Sequence, residues 1–541
     1  MPIWRAALPS LVFVAGLMTA VAGLAVAPDG ALAASTELRG YYAAEIAMEM
    51  TDRKWHFGPP GDNAMPSHYA ELQFWAWPSD RYETFIKIRA LSNRDDDRTP
   101  AVDFYTPPWL AAEGHLKLRG ESWEGFIFSR ESRFYINDEP LLGLINDGKL
   151  KNDDWGPKAQ GVRLDTWDRN LLGIRNLGGT LIFSDNGGTF PFDGRDVANG
   201  EDSWILRLRH RAFGGRIESG FMFLRKDWTD TSREDFGSLL GLMYNNVYSL
   251  DVAFTPRDIF ATGAQFGPVN LEQSRITSQV AFSERPYHET VFSEPRSHAR
   301  ALAVELREVH VEQVTLHAWH NDFGEDFRSY LSSRFDDERQ YNKVQNHVEA
   351  IWLLPRKAVT TKLVYDSQRK RVADEPGGGR RPSEEWYGEL YMEFVNGFKA
   401  RFAHRQWHGF DESAEIFDFY TYPDWFAEIS VENFLAKVRL QGRIRDAGTF
   451  RQVRALGFDM NVNLTDRVKG YFRAMNVDEH TEARHTIFAQ LKYELGGGAE
   501  LYFEYGDPGQ SDNLVRTDWF VNEGNGDNLR DRLKLLVRAW F

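Results

Sequence analysis

Basic side chains recur at two-residue spacing along several segments of this chain. The rows are Arg207, Arg209 and Arg211; Lys399, Arg401 and Arg405; Lys437, Arg439, Arg443 and Arg445; Arg467, Lys469 and Arg473; and Arg532, Lys534 and Arg538. Acidic pairs stand between them: Glu389 and Glu393, Glu428 and Glu432, Glu500 and Glu504. In extended chain, residues two apart share a face, so these rows make charged walls. Such walls can do two kinds of chemistry. Neighbouring strands of opposite sign can pair, arginine holding carboxylate through its planar fork. A surplus of basic groups can instead attract anionic solutes.

Catalytic spacings are absent. The sequence has no G-x-S-x-G, no H-E-x-x-H and no G-x-x-x-x-G-K-[ST]. Gly377-Gly378-Gly379 precedes Arg380-Arg381 without the phosphate-binding Lys-Ser/Thr. His317 and His320, three apart, fall on opposite faces of a strand, and His404 and His408 share a face without a nearby third ligand. There is no cysteine among the 541 residues, which removes disulfides, thiolate metal sites and covalent haem attachment. The expectation is a protein that is not an enzyme and has no cofactor. With 64 Lys+Arg against 79 Asp+Glu the net charge is −15, which argues against nucleic acid as a partner.

The segments carrying these rows alternate with period two. Leu456, Phe458, Met460, Val462 and Leu464 oppose Gly457, Asp459, Asn461 and Asn463. Ile487, Ala489, Leu491, Tyr493 and Leu495 oppose Thr486, Phe488, Gln490, Lys492 and Glu494. Each such strand has one apolar and one strongly charged face. Aromatics at the ends of the apolar faces, such as Tyr505 and Trp77, suit membrane-interface girdles.

Short turns are expected at Pro78-Ser79-Asp80, Phe213-Gly214-Gly215, Thr255-Pro256-Arg257, Pro355-Arg356, Val395-Asn396-Gly397, Thr465-Asp466 and Gly496-Gly497-Gly498. Long polar loops are expected at Thr51–Ser67, Ser92–Leu110, Glu131–Gln160, Gly267–Ser297, Asp322–Asn342, Arg369–Glu385 and Asp507–Asn528. Acid is concentrated in such loops, as at Asp95-Asp96-Asp97 and Asn137-Asp138-Glu139. Short turns at one end and long loops at the other define an all-β fold. It is a single transmembrane antiparallel up-and-down barrel of about 24 strands, within roughly 18–26, with periplasmic turns and extracellular loops.

Met1–Arg5, the apolar run Ala6–Ala27 and the small-residue site Ala31-Leu32-Ala33 read as an export signal over residues 1–33. Residues 34–541 are then the barrel, placed in the outer membrane of a Gram-negative bacterium. The final segment, Leu533, Leu535, Val537, Ala539 and Phe541, alternates and ends on an aromatic. It resembles the closing signal of outer-membrane barrels, which implies the barrel-assembly machinery as a partner through Phe541.

Gln160-Gly161-Val162-Arg163-Leu164-Asp165, a Gly-rich turn and Leu181-Ile182-Phe183-Ser184-Asp185 resemble a stretch of the alginate-export type of outer-membrane porin. That resemblance implies a single-domain barrel passing anionic polysaccharide through an electropositive pore. Taken with the charged rows, the expected function is a porin or exporter for anionic solutes or polysaccharide, in contact with outer-membrane lipid. The alternative is a sheath around a periplasmic or lumenal partner, such as a multihaem cytochrome. A third reading is an adhesive barrel acting through its loops.

Overall fold

A computed structural model describes residues 35–51, 54–57, 68–92, 109–129, 136, 141–145, 151–152, 156–157, 160–171, 174–185, 202–229, 242–259, 264–285, 297–332, 342–354, 358–371, 382–394, 397–410, 419–446, 452–478, 483–506 and 532–541. The expected export signal over 1–33, the acidic segments 95–97 and 137–139, and the glycines 377–379 lie outside these described residues.

Antiparallel wall strands close into a barrel of 24. The first eight are β1 (Ser35–Thr51), β2 (His68–Ser79), β3 (Tyr82–Ser92), β4 (Trp109–Arg119), β5 (Trp123–Ser129), β6 (Gln160–Leu171), β7 (Ile174–Asp185) and β8 (Asp202–Ala212). Next come β9 (Ile217–Thr229), β10 (Leu242–Phe254), β11 (Arg275–Arg285), β12 (Ser297–Val311), β13 (Val314–Phe323), β14 (Lys343–Leu353), β15 (Val359–Lys370) and β16 (Ser383–Glu393). The last are β17 (Phe398–Phe410), β18 (Phe419–Glu432), β19 (Ala436–Arg445), β20 (Val453–Asn463), β21 (Val468–Asp478), β22 (Ala483–Gly496), β23 (Ala499–Tyr505) and β24 (Arg532–Trp540).

Each strand pairs with its neighbour in sequence, and β24 returns to β1 in register from Tyr41↔Trp540 to Glu49↔Arg532. Phe541 extends the seam. Its N–H donates to the Gly40 carbonyl at 3.0 Å and its carbonyl accepts from the Gly40 N–H at 2.6 Å. A Cβ on Gly40 would lie 2.1 Å from the Phe541 ring, so a side chain there would displace the terminal aromatic.

The two faces differ as the alternation requires. One outward row runs Leu164–Leu181–Leu206–Phe223–Tyr248–Phe282 across β6 to β11. Leu250, Phe282, Leu363, Trp386 and Leu456 each leave more than half of their surface uncovered. A belt of this extent is stable only against an apolar medium. None of the described helices is long and apolar enough to cross a membrane; the crossing elements are strands.

The expected turns at 78–80, 213–215, 465–466 and 496–498 recur, those at 355–356 and 395–396 lie outside the described residues, and two expectations are corrected. Thr255-Pro256-Arg257 opens a longer connection, with a one-turn helix at Pro256–Ile259 and a hairpin of Gln265–Phe266 with Val269–Asn270, the latter pairing with β12. The span Gly267–Ser297, expected as a loop, contains strand β11. Its Ser/Thr/Gln-rich inward side weakened the alternation that marks a strand. At Gly498 the turn takes φ +81°, and a Cβ would sit 2.6 Å from the Trp540 carbonyl oxygen, so only glycine serves there.

Leu250→Arg, on the outward face of β10, is expected to lower the folding free energy of the vesicle-inserted barrel by up to ~2–4 kcal/mol. Urea titration of the inserted protein measures this, and an unchanged midpoint would contradict a lipid-facing wall.

Candidate functional site

The inner wall has two sectors of different chemistry. Strands β5 to β13 turn apolar side chains inward: Phe126, Phe128, Ile182, Ile205, Met222, Leu224, Val247, Ala281, Ala301, Ala303 and Phe323 are all buried. Inward apolar groups in a wet lumen need cover. Two connections supply it. Ile136, Leu142, Leu144 and Ile145, after β5, and Phe327 and Leu331, after β13, join the same cluster. The spans Glu131–Gln160 and Asp322–Asn342, expected wholly as extracellular loops, therefore send part of their length against the inner wall. Their short apolar runs have an inward partner that local periodicity does not reveal.

Polar groups on β10 and β11 fasten this shelf. Gln279 Oε1 accepts from the backbone N–H of Leu141 (3.0 Å) and Leu142 (2.8 Å), while its Nε2 donates to Ser249 Oγ at 2.9 Å. Asn245 donates to the Arg328 carbonyl (3.3 Å) and accepts from the Tyr330 N–H (3.1 Å). The Arg328 N–H donates to Ser283 Oγ at 3.3 Å, and Ser329 Oγ donates to the Leu144 carbonyl, tying one segment to the other. Buried backbone groups without partners would cost more than the packing supplies.

Beside the shelf Arg207 grips Asp251 with both terminal nitrogens, Nη2 lying 2.9 Å from Oδ1. Both residues are buried, and the pair bridges β8 to β10 over Gly220 on β9. A Cβ at Gly220 would lie 2.3–2.4 Å from the guanidinium and carboxylate. Glycine is thus the residue that lets this pair close. Of the other residues in that row, Arg209 shares the inward face and Arg211 stands 3.6 Å from Glu218 near the turn.

Strands β14 to β24 carry the charge. Arg401 meets Glu389 at 2.7 Å and Arg405 meets Glu385 at 2.6 Å. Lys399 lies 3.9 Å from Glu393 and 3.7 Å from Glu432, which Lys437 approaches to 3.4 Å. Arg439 Nε lies 2.8 Å from Asp459, Arg443 3.1 Å from Asp424 and Arg445 3.6 Å from Asp446. Glu428 accepts from Gln441 at 2.6 Å. Lys469 meets Glu494 at 3.0 Å, Lys534 meets Glu504 at 3.6 Å, and Glu500 pairs with Lys492. Arg538 stacks over the Tyr502 ring at 5.0 Å. On β13 to β15, His317 faces Glu305 (3.0 Å), His347 faces Asp366 (2.6 Å), and His347 stacks on Trp319.

Arg473 differs from its neighbours. It is 2% exposed, its Nε and Nη2 have no hydrogen-bond partner, and across the pair Asp459 keeps Oδ2 unpartnered while Oδ1 serves Arg439. The register places Arg439 and Arg473 on either side of Asp459, and only Arg439 is bonded to its carboxylate. Arg467 sits in the turn before β21 rather than on a strand, because Thr465 and Val468 close that turn through their backbone groups. The side chain of Arg532 lies outside the described residues.

Spacing did not mark Asp251, Glu385, Asp424, Asp459 or Gln279 as partners. A solitary acid carries no row signal, and only strand register brings each opposite its base. Trp77, expected among membrane-facing aromatics, stacks on Trp75 at 5.9 Å on the inner face, where Trp75 also meets Phe85. His317 and His320 take opposite faces, with His320 on Asn346. Among the described residues there is no group of three or more His/Cys/Asp/Glu suited to a metal ion.

No family model and no curated protein matches this chain. Among solved structures, the P pilus usher translocation pore is similar over 93% of this chain and 99% of its own, at 9% identity and TM-score 0.41. A siderophore receptor from Pseudomonas aeruginosa is similar over 94% and 81%, at 8% identity and TM-score 0.45. A porin mutant from Rh. blastica is similar over 60% and 100%, at 11% identity and TM-score 0.27. The fold and inner wall of this chain define a membrane-spanning β-barrel with an internal shelf and an ion-paired lumen face.

Gln279→Leu removes the acceptor of two buried shelf amides. Hydrogen exchange at Leu141 and Leu142 is expected to speed up by about tenfold or more, with wall amides of β10 unchanged. Equal protection in both proteins would mean that the shelf is not held by this side chain.

Proposed function

We propose that the protein is an outer-membrane transport pore that favours anionic solutes, with extended anionic polysaccharide as the substrate class. The observation that carries this reading is the inner wall of β16 to β24, where guanidiniums line the face opposite the apolar belt and those of Arg401, Arg439 and Arg445 stay partly exposed. Paired side chains keep the wall rigid and hydrated. The partly exposed guanidiniums of Arg401, Arg439 and Arg445 are the groups a passing anion meets.

The segments of sequence that resemble the alginate-export type are hydrogen-bonded to one another. Gln160–Asp165 and Leu181–Asp185 face each other from Asp185↔Gln160 to Leu181↔Leu164. Their inward groups form the Arg163–Asp165–Thr180 cluster, with Arg163 Nε 2.6 Å from Asp165 and Thr180 Oγ1 donating to Asp165 at 2.7 Å. The shelf narrows the lumen on the same side, so a chain-like solute would pass between the shelf and the arginine rows.

In planar bilayers under a salt gradient, the reversal potential is expected to show anion preference. Arg439→Gln should move it toward zero, and a polyuronate added to one side should block the ion current. Cation preference in the parent protein would overturn the reading. Anion preference without polyuronate block would confine the substrate to small anions.

A further inference from the structure

On the turn side of the shelf the inner wall gathers imidazoles and carboxylates that lie apart from the arginine rows. Register sets His317 on β13 opposite Glu349 on β14, and Trp319 opposite His347. Strand β12 brings Glu305 opposite Trp319, and β15 brings Asp366 opposite His347. From this group β13 runs on to Phe323, which belongs to the shelf core. A solute that clears the shelf from the loop end therefore meets the group next.

The two imidazoles are close together and held by acid. Their ring centroids are 5.6 Å apart, edge to face. His317 Nε2 is 3.0 Å from Glu305 Oε1. His347 Nδ1 is 2.6 Å from Asp366 Oδ1, and its Nε2 is 3.9 Å from Glu349. Trp319 stacks on His347 at 5.2 Å and fixes the plane of its ring. Two fixed cations reach the same acids: Arg307 approaches Glu305 to 2.6 Å and Lys362 approaches Glu349 to 2.7 Å. A third imidazole, His310 on β12, faces Thr315 at 3.1 Å, one inward position nearer the turns. The group stays open to the lumen, with 29% of the His317 side chain exposed, 41% of Asp366 and 56% of Arg307.

The charge of this patch depends on protons. Histidine changes charge between about pH 5 and 8, where carboxylates and guanidiniums ordinarily keep theirs. With neutral rings, Glu305, Glu349 and Asp366 outnumber Arg307 and Lys362 by one. An ionised carboxylate only accepts, so Asp366 selects the His347 tautomer that donates from Nδ1 and leaves Nε2 bare toward Glu349. A proton taken up at Nε2 makes it a donor to this second carboxylate. His317 takes its proton on Nδ1 and keeps Nε2–H on Glu305. Two protonated rings turn the local excess from one negative charge into one positive charge.

We infer that His317 and His347 are specificity-determining residues of the lumen, which switch the wall beside the shelf from cation-attracting to anion-attracting as the medium is acidified. The inference rests on the reading of the lumen as a solute path and adds the groups that regulate it. A patch where the lumen narrows acts on every ion that passes, because field lines concentrate there.

The test uses the full chain in planar bilayers under a potassium chloride gradient. The reversal potential is read at about pH 8 and at about pH 5.5, where carboxylates remain ionised. The anion-to-cation permeability ratio is expected to rise about twofold or more on acidification. The double variant His317→Gln/His347→Gln should lose most of that rise. His347→Lys, charged at both pH values, should raise the ratio already at the higher one. Each variant is first shown to keep the heat-dependent gel shift of a folded barrel, and His317→Gln alone replaces the double variant if that one does not. A full acid response in the Gln variant, or no acid response in the parent protein, would overturn the proposal and leave an anion-passing lumen in place. Absence of ion current from the folded parent barrel would overturn both readings together.

Discussion

A strand that crosses hydrocarbon leaves its backbone N–H and C=O groups nowhere to turn except to another strand, and an unpaired group there costs several kcal/mol. Every other feature of this molecule follows from meeting that demand around a closed ring. The seam between β1 and β24 completes it, from Glu49↔Arg532 to the reciprocal bonds of Gly40 and Phe541. With no edge left, side chains sort into two populations by parity alone. The outward set is Leu, Phe, Trp and Tyr; the inward set carries the charge.

Enclosing charge creates a second demand. A guanidinium turned into a narrow interior keeps its solvation only in part, and pairing offsets the rest. The register meets this by setting Arg401 against Glu389, Arg405 against Glu385 and Arg443 against Asp424. Bidentate closure of Arg207 on Asp251 needs a strand between them without a side chain, which Gly220 provides. Against this paired background the Arg439–Asp459–Arg473 row has one carboxylate too few.

The shelf is the place where the sorting rule is locally reversed. Ile182, Ile205, Leu224 and Val247 point inward, and connections after β5 and β13 fold back to cover them. Gln279 and Asn245 show how loops enter a barrel without stranding their own peptide groups, since wall amides substitute for water. On the opposite surface, Gly388 and Gly442 leave a hollow between bulkier outward neighbours.

Much of this was legible in one dimension. Period-two alternation over Leu456–Leu464 and Ile487–Leu495 fixed strand identity and face, because side-chain direction in extended chain is a local property. Strand number and closure followed from counting turns, since an up-and-down barrel has no crossover to hide. Strand β11 escaped notice because Gln279 and Ser283 serve a shelf rather than a lumen and so blur its inward pattern. The partners Asp251, Glu385, Asp424 and Asp459, the inward place of Trp77 and the cover over Ile205 were not legible. They depend on which residues register brings opposite one another and on what connections do across open space. Strand parity is set within a few residues of chain, but register and loop docking are set by contacts between residues far apart in sequence, as Gln279 with Leu142 shows.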